Sequence, residues 1–541
     1  MIASLLRRAA GAALGLTKAT NGIRVEKGLT MQTRDGVTLV ADRYFPADGI
    51  PRPTVLMRTP YGRGIIMAFS ASLLAERGLN VVVQSVRATT GSGGDFNPIR
   101  QEGPDGLDTV DWVRAQPWFG GKLFLFGGSY LGCTAWAIAT MAPDKVDGAA
   151  LTMTLSNFRD EMIEFGGLTQ ESMLTWTKQM QALVSTGKSP FFGGKPVLRG
   201  EHMHLPLGTI DHAVTGATVP WWQEWVNRRD PNDPWWDAMD FSEGVTALSA
   251  PVFLCAGWQD LFLPYELKDF MARQAAGLET FITIGPWEHG GPGGLFEGQR
   301  QCVEFLTGLA AGEDARARRA PVRLFVQGAK EWREYPSWPP PHVKPGKLYL
   351  RAGGRLDLAA PTLDDDPTCF VYDPADPTPS LYGPVTMPAK SRDMDALRRR
   401  KDVEEFTTDR LDSDLEIIGP VSVELCVRSD RDHSDFYVCL CDVDAKGRSM
   451  HVADGYVRLE PGSPVPEGDG VRRITIEVWP TAYRFVRGNR LRLLVASGAF
   501  PRYARNPGTG EPMATATELV TARQEILHDT ARSSAICFLQ S

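Results

Sequence analysis

The chain has 541 residues, enough for roughly three or four domains. Hydrophobic residues make up 43% and charged residues 23%, which is the balance of a globular protein with sizeable cores and excludes a disordered or fibrous chain. The net charge of −7 gives no sign of the basic face that nucleic acid would need, and no run of 18 apolar residues is present, so neither a nucleic-acid partner nor a membrane span is expected.

At the N-terminus, MIASLLRRAAGAALGLTKATNG reads as an amphipathic helix or a loose arm. Arg7 and Arg8 ahead of a short apolar run also have the charge step of a signal peptide. Eight cysteines scattered along the chain, with no C-x-x-C pair, fit a reducing compartment. Cytoplasmic placement is therefore the expectation, with an exported form as the alternative. Cys439 and Cys441 would share one face of a strand and read as small buried hydrophobes.

Residues 28–46 then read as a hairpin turning at Asp35-Gly36. PTVLMRTP (53–60) is a strand, 67–78 a helix stopped by Gly78, and LNVVVQSV (79–86) a strand buried on both faces. A helix over 103–116, the strand KLFLF (122–126), an apolar helix over 129–143 and a strand over 146–155 continue the alternation. Such alternation predicts an α/β fold with a mostly parallel sheet. Between 156 and 245 the strand signals stop, and MIEFGGLTQESMLTWTKQMQALV (162–184) is helical, so an inserted helical cap is expected. The alternation returns with APVFLCAGWQD (250–260), a helix near 264–275, TFITIGP (280–286), a helix near 297–310 and VRLFVQG (322–328). After the proline-rich stretch 336–346, short alternating strands dominate and predict an all-β sandwich or jelly roll. The expected domains are a catalytic α/β domain of 1–155 and 246–335, a cap of 156–245, a linker of 336–346 and a β domain of 347–541.

The segment KLFLFGGSYLG (122–132) carries the strongest chemical signal. A buried strand runs through Gly127-Gly128-Ser129 into an apolar helix, which is the setting of a nucleophile elbow. Small neighbours let the turn tighten, and the helix start offers backbone N–H groups to a developing oxyanion. The pattern G-x-S-x-G is incomplete, because Leu131 stands where its second glycine would be. A structural glycine-serine helix cap is the lesser alternative on this segment alone.

A serine hydroxyl needs a base. In an α/β-hydrolase the acid and then the histidine follow the serine, on loops after later strands. Of the eight histidines, His289 in GPWEHGG meets that requirement, and Asp260 at the end of APVFLCAGWQD lies 29 residues before it. Asp237, Asp240 and Glu288 are alternative acids, and an aspartate at a strand end is also ordinary turn chemistry. His202 and His204 form an H-x-H pair that could hold a metal, although a solvated loop is the simpler reading. Tyr61, directly after strand 53–60, could donate to an oxyanion beside the backbone N–H of Tyr130, or simply pack. Trp258, Phe262 and Trp176 are candidates for an apolar pocket lining.

Taken together, RTPYGR (58–63), SVRATTGSGGDF (85–96), residues 102–132, GWQDLF (257–262) and GPWEHG (285–290) resemble the catalytic domain of the cocaine esterase-like hydrolases (the CocE/NonD family), relatives of the X-Pro dipeptidyl-peptidases. YDPADPTPS (372–380), GPVSVELCV (419–427), DGYVRL (454–459) and AFPRYARNPGTG (499–510) resemble its C-terminal β domain. The resemblance implies an α/β-hydrolase domain with a helical cap and a jelly roll. It also implies a triad of Ser129, Asp260 and His289, and an oxyanion hole of Tyr61 and the Tyr130 N–H. The absence of a second elbow glycine at Leu131 is shared with that family. One departure is Ser85-Val86-Arg87-Ala88, where the family often has D-x-R-G. The implied substrate is a small-molecule ester, or alternatively an amide such as an X-Pro peptide, cleaved without metal or organic cofactor. An aminopeptidase would need acids to hold an α-ammonium, for which Asp160, Glu161, Glu164 and Glu171 are available. A catalytically inactive binding protein built on the jelly roll is the third reading. The architecture could support a homodimer.

Overall fold

The computed structural model describes residues 2–187, 198, 200–317, 319–384 and 392–541. The chain divides into two compact units. The first comprises Met1–Glu161, Lys178–Lys195 and Asp230–Arg323, and the second Met162–Thr177, Pro196–Arg229 and Leu324–Ser541.

In the first unit the N-terminal segment is a helix, α1 (Ile2–Ala13). Arg7 pairs with the buried Glu76 at 3.3 Å, which ties α1 to the C-terminal end of α2 (Ile65–Ala75). Eight strands follow: β1 (Ile23–Gln32), β2 (Thr38–Pro46), β3 (Arg52–Thr59), β4 (Asn80–Ser85), β5 (Phe119–Gly128), β6 (Gly148–Thr152), β7 (Val252–Gln259) and β8 (Thr280–Glu288). They lie in the order β1-β2-β4-β3-β5-β6-β7-β8. The pairings β1–β2, which forms the hairpin, and β2–β4 are antiparallel, and from β4 through β8 every pairing is parallel. The hairpin turns at Asp35-Gly36, where Gly36 has φ +84°, as the sequence predicts. In β4, Val81, Val82 and Val83 are all fully buried, so side chains on both faces leave water. Each contributes about 1.5–2 kcal/mol by burial, which is why a run without alternation becomes a central strand.

The helices α3 (Glu102–Arg114), α4 (Tyr130–Met141), α10 (Leu263–Ala275) and α11 (Pro292–Ala310) cover the sheet. The last starts at Pro292, five residues before the expected 297. GGPGG reads locally as loop, but a proline at the first helical turn loses no hydrogen bond.

Between β6 and β7 lie α5 (Phe158–Met162), α6 (Gln170–Thr186), α7 (Ile210–Thr215), α8 (Pro220–Asn227) and α9 (Ser242–Ala247). The helix expected over 162–184 is broken. Phe165 and Gly166 have φ +47° and +84°, and α6 begins only at Gln170. The break falls at Gly166-Gly167, where the chain packs so closely that a Cβ on Gly167 would sit 2.6 Å from the Tyr456 ring. The inserted segment is shared between the two units, since 162–177 and 196–229 group with the C-terminal strands.

The chain passes from the first unit to the second within β9 (Val322–Val326), and β10 (Glu331–Tyr335) and β11 (Lys344–Arg351) follow. The next strands are β12 (Arg355–Asp357), β13 (Thr368–Tyr372), β14 (Val403–Thr407), β15 (Leu415–Ser429), β16 (Ser434–Val443) and β17 (Ser449–Leu459). The last are β18 (Arg472–Phe485), β19 (Arg490–Ala496), β20 (Ala522–Ile526) and β21 (Ala535–Gln540). The expectation of an all-β unit holds. Its hydrogen bonds, however, run round a nine-strand barrel, β15-β18-β17-β16-β19-β14-β12-β11-β21, which closes where β21 pairs with β15. Closure satisfies edge groups that an open sheet would leave to solvent. Cys439 and Cys441 lie side by side in β16, fully buried, with Sγ atoms 3.6 Å apart.

Candidate active site

The turn from β5 to α4 is set by sterics. Ser129 adopts φ +55°, ψ −128°, a conformation that costs a residue with a Cβ about 1–3 kcal/mol. Its N–H is anchored on the carbonyls of Thr152 and Met153 at 3.0 and 3.1 Å, and its carbonyl accepts from Thr154 Oγ1 at 2.8 Å. Gly127 and Gly128 make room for the turn. A Cβ on the first would lie 2.5 Å from the Leu131 backbone, and on the second 2.5 Å from Thr152 Oγ1. Leu131 is buried in the core under the sheet, so the turn closes without a glycine there.

Asp260 and His289 leave the sheet side by side because β7 and β8 pair in register up to Gln259 opposite Glu288. A bulge between Gly257 and Gln259 precedes that last pair. His289 Nδ1–H donates to Asp260 Oδ2 at 2.7 Å, and Ser129 Oγ–H donates to His289 Nε2 at 3.1 Å. Asp260 is fully buried, and its other oxygen accepts the Phe262 N–H at 2.8 Å. The Phe262 ring meets the imidazole edge-on, with centroids 5.1 Å apart. The structure thus joins Ser129, His289 and Asp260 in one hydrogen-bonded relay, and a serine so placed can be deprotonated as it attacks.

The alternative acids have other occupations. Asp240 holds Asn157 and Ser242, Glu288 is the strand partner of Gln259, and Asp237 is exposed. Tyr61 is half-buried, its ring edge-on to Tyr130 at 6.4 Å. Trp258 is buried in β7. Trp176 belongs to the second unit, where its ring lies 6.0 Å from Trp225. The H-x-H pair separates: His202 meets Phe500 edge-on, and His204 Nε2 bonds Thr209 Oγ1 at 2.8 Å.

Two buried features escape sequence reasoning. Tyr130 donates its hydroxyl to Glu102 at 2.8 Å, and Glu102 also pairs at 2.6 Å with Arg58, which is fully buried. That anchor fixes the first residue of α4 beside Ser129. The second is a pair of acids on α10. Burial pushes the Glu266 carboxyl well above the usual range, helped by repulsion from Asp260. Burial likewise raises Asp269 from 3.8 to about 7, although Ser156 Oγ–H donates to it at 2.6 Å. The only sequence signal for either was an acid on the apolar side of a helix.

An acid with a raised native pKa stabilises most when protonated. The Asp269 contribution is complete below pH 3.8 and is lost as the pH rises through about 7. Asp269→Asn, which keeps an acceptor for Ser156, is therefore expected to match the wild type near pH 4. It should exceed it by on the order of 4 kcal/mol at pH 9. Urea unfolding at the two pH values measures the difference.

The departure at 85–88 also has a physical reading. Ala88 takes φ +56°, a conformation suited to the glycine common there, with its N–H on the Gly93 carbonyl at 2.9 Å. Arg87 is held by Asp105 and Asp35, and Ser85 Oγ meets Arg63 and Thr90. Ala88→Gly should raise stability by about 1 kcal/mol by relieving this strain, read as an increase in the denaturation midpoint.

A family model described as X-Pro dipeptidyl-peptidase (S15 family) matches residues 35–291, and one described as the X-Pro dipeptidyl-peptidase C-terminal non-catalytic domain matches 315–536. The chain is 30% identical to the cocaine esterase of Rhodococcus sp. (strain MB1 Bresler), over 90% of this chain and 93% of that one. Among solved structures it is similar to an aminopeptidase from a marine sediment Thaumarchaeota archaeon, with a TM-score of 0.81 at 20% identity over 96% of both chains. An α-amino acid ester hydrolase matches with a TM-score of 0.79 at 22% identity, over 97% of this chain and 98% of that one. At these identities the two structures speak for the fold.

Proposed function

The chain belongs to the cocaine esterase-like (CocE/NonD) hydrolase family, related to the X-Pro dipeptidyl-peptidases, and is a serine hydrolase of carboxylic esters; we propose that Ser129 is its nucleophile, His289 its base and Asp260 the acid that orients the base. The observation that carries the assignment is the relay itself, 3.1 Å from Ser129 to His289 and 2.7 Å from His289 to a fully buried Asp260. As Ser129 Oγ bonds the acyl carbon, its proton passes to His289 Nε2. The Asp260 carboxylate holds the imidazole in the tautomer that can receive it and stabilises the imidazolium. The tetrahedral oxyanion is held by the Tyr61 hydroxyl and the Tyr130 N–H. Collapse breaks the ester C–O bond, and the alcohol leaves with the proton from His289. Water then attacks the acyl-enzyme by the same route and restores Ser129. These steps consume only ester and water.

Tyr61→Phe removes one oxyanion donor. It is expected to lower kcat about 10²–10³-fold with little change in KM, as measured with p-nitrophenyl acetate. Trp258 and Phe262 are the proposed apolar lining on the first unit, supported for Phe262 by its contact with His289.

Amide cleavage, including X-Pro peptides, is the second reading, and the family model over 35–291 favours it. Of the acids considered for an α-ammonium, Asp160 is engaged by Lys268 at 2.7 Å and by Arg159, and the Glu164 side chain lies outside the described residues. The test is a matched panel of p-nitrophenyl esters and X-Pro-p-nitroanilide. Turnover of the esters with the anilide untouched is expected. Preferential anilide cleavage would replace the ester reading.

The proposed domain division is catalytic 1–155 and 246–335, cap 156–245, linker 336–346 and β domain 347–541, with a jelly roll as the path of the last. Two thin seams support the jelly roll. β17 meets β18 only at Gly455–Val478, and β12 meets β14 only at Arg355–Thr407, so the barrel parts into facing sheets of five and four strands. Unpaired thiols support a reducing, cytoplasmic setting.

A further inference from the structure

Two helices begin where the reactive loops end. α2 starts four residues after Tyr61, and α11 starts three residues after His289. Each follows a parallel strand and returns under the same face of the sheet, because Leu73 and Leu74 of α2 share one core cluster with Val303 and Leu306 of α11. Ser70 Oγ–H donates to Gln299 Oε1 at 2.6 Å and clips the helices together. One turn earlier on each helix, toward the reacting edge, stand Ile66 and Leu295. With their neighbours they form an exposed apolar shelf: Ile65 is 90% exposed, Ile66 44%, Leu295 56% and Phe296 59%. Segments 64–69 (GIIMAF) and 290–296 (GGPGGLF) contain no charged or hydrogen-bonding side chain. Half-buried Tyr61 and Trp287 pack against the same core beneath them.

We propose that this shelf of Ile65, Ile66, Leu295 and Phe296 seats the long apolar chain of an ester substrate and makes the enzyme selective for medium-chain acyl groups. The inference rests on the ester-hydrolase reading and on the assignment of Ser129 and His289. Its occupant follows from position. The shelf grows directly out of the two loops that carry Tyr61 and His289, so a chain attached to a carbonyl at Ser129 meets it without leaving the first unit. A lipid surface would favour cationic residues at the rim, and the two segments have none. Each methylene that leaves water for such a surface is worth about four-fold in affinity.

The experiment compares wild type with Leu295→Ser/Phe296→Ser and Ile65→Ser/Ile66→Ser on p-nitrophenyl acetate and octanoate. All four side chains are exposed, so thermal melts should be unchanged. The expected result is kcat/KM for acetate within about two-fold of wild type and for octanoate lower by about 10–30-fold, through KM. An unchanged octanoate-to-acetate ratio overturns the inference. Titration of Ser129→Ala with methyl octanoate, with and without the shelf substitutions, separates the two readings. If the wild type hydrolyses neither ester, the hydrolase reading fails, while octanoate binding that the shelf substitutions abolish still supports the shelf. Dissociation of an oligomer in light scattering, or loss of binding to phosphatidylcholine vesicles, with the chain-length profile unchanged, would assign the shelf to a second copy or to a lipid surface and overturn the proposal.

Discussion

Ser129→Ala should lower kcat for p-nitrophenyl acetate by about 10⁵–10⁶-fold and leave the fold as stable as before. The chemical argument is that no other hydroxyl touches the imidazole: Ser129 Oγ is the group hydrogen-bonded to His289 Nε2 among the described residues. Loss of a triad nucleophile in serine hydrolases costs about this factor, and the residual rate comes from binding and oxyanion donors. The stability argument is independent. Alanine at φ +55° bears the same Cβ strain as serine, so the elbow neither relaxes nor tightens, and the substitution removes one partly exposed hydrogen bond. Ser129→Gly makes the contrast, since it should be equally inactive yet more stable by about 1 kcal/mol. A fluorophosphonate probe should label wild type on the peptide that holds Ser129 and label neither variant. Turnover that survived Ser129→Ala would remove the relay from the reaction.

Asp260→Asn should cost about 10⁴-fold in kcat while keeping the side chain in place. The reason lies in the two oxygens. Oδ1 accepts the Phe262 N–H at 2.8 Å, and Oδ2 accepts His289 Nδ1–H at 2.7 Å. An asparagine must put its carbonyl toward the Phe262 N–H, because two donors cannot face each other. Its NH₂ group then points at His289 Nδ1 and forces that nitrogen to accept. The ring proton moves to Nε2, which donates to Ser129 instead of receiving from it. The serine is still present and the cavity still filled, but the base carries its proton on the wrong atom. NMR of the imidazole N–H, with kcat against pH, checks both halves of this expectation. An asparagine variant within ten-fold of wild type would show that Asp260 does not set the tautomer.

The resemblance to a known family carried much of the site. What the residues themselves made legible was local. The run NVVVQS announced a central strand because valines on both faces require burial on both faces. KLFLFGGSYLG announced strand, tight turn and helix, because small residues are needed where Gly127 and Gly128 meet Leu131 and Thr152. The order of Ser129, Asp260 and His289 could be read because each ends or follows a strand. By contrast, nothing local separated Asp260 from Asp237, Asp240 or Glu288. All four carboxylates lie near predicted strand ends or turns, and hydrogen bonding to a histidine 29 residues away is not a property of composition.

Sequence by itself determined the alternation of strands and helices, the elbow and the change to an all-β unit, since periods of 2 and 3.6 and the sterics of glycine act between near neighbours. Tertiary structure alone decided four matters. It set the register that puts Gln259 opposite Glu288 and so brings Asp260 to His289. It closed the barrel by pairing β21 with β15, strands more than 100 residues apart. It also broke the expected helix at Gly166-Gly167 against Tyr456, and buried the carboxyls of Glu102, Glu266 and Asp269. Each depends on partners distant in the chain, whose register and packing are settled only when the whole sheet or barrel forms and no local pattern encodes them.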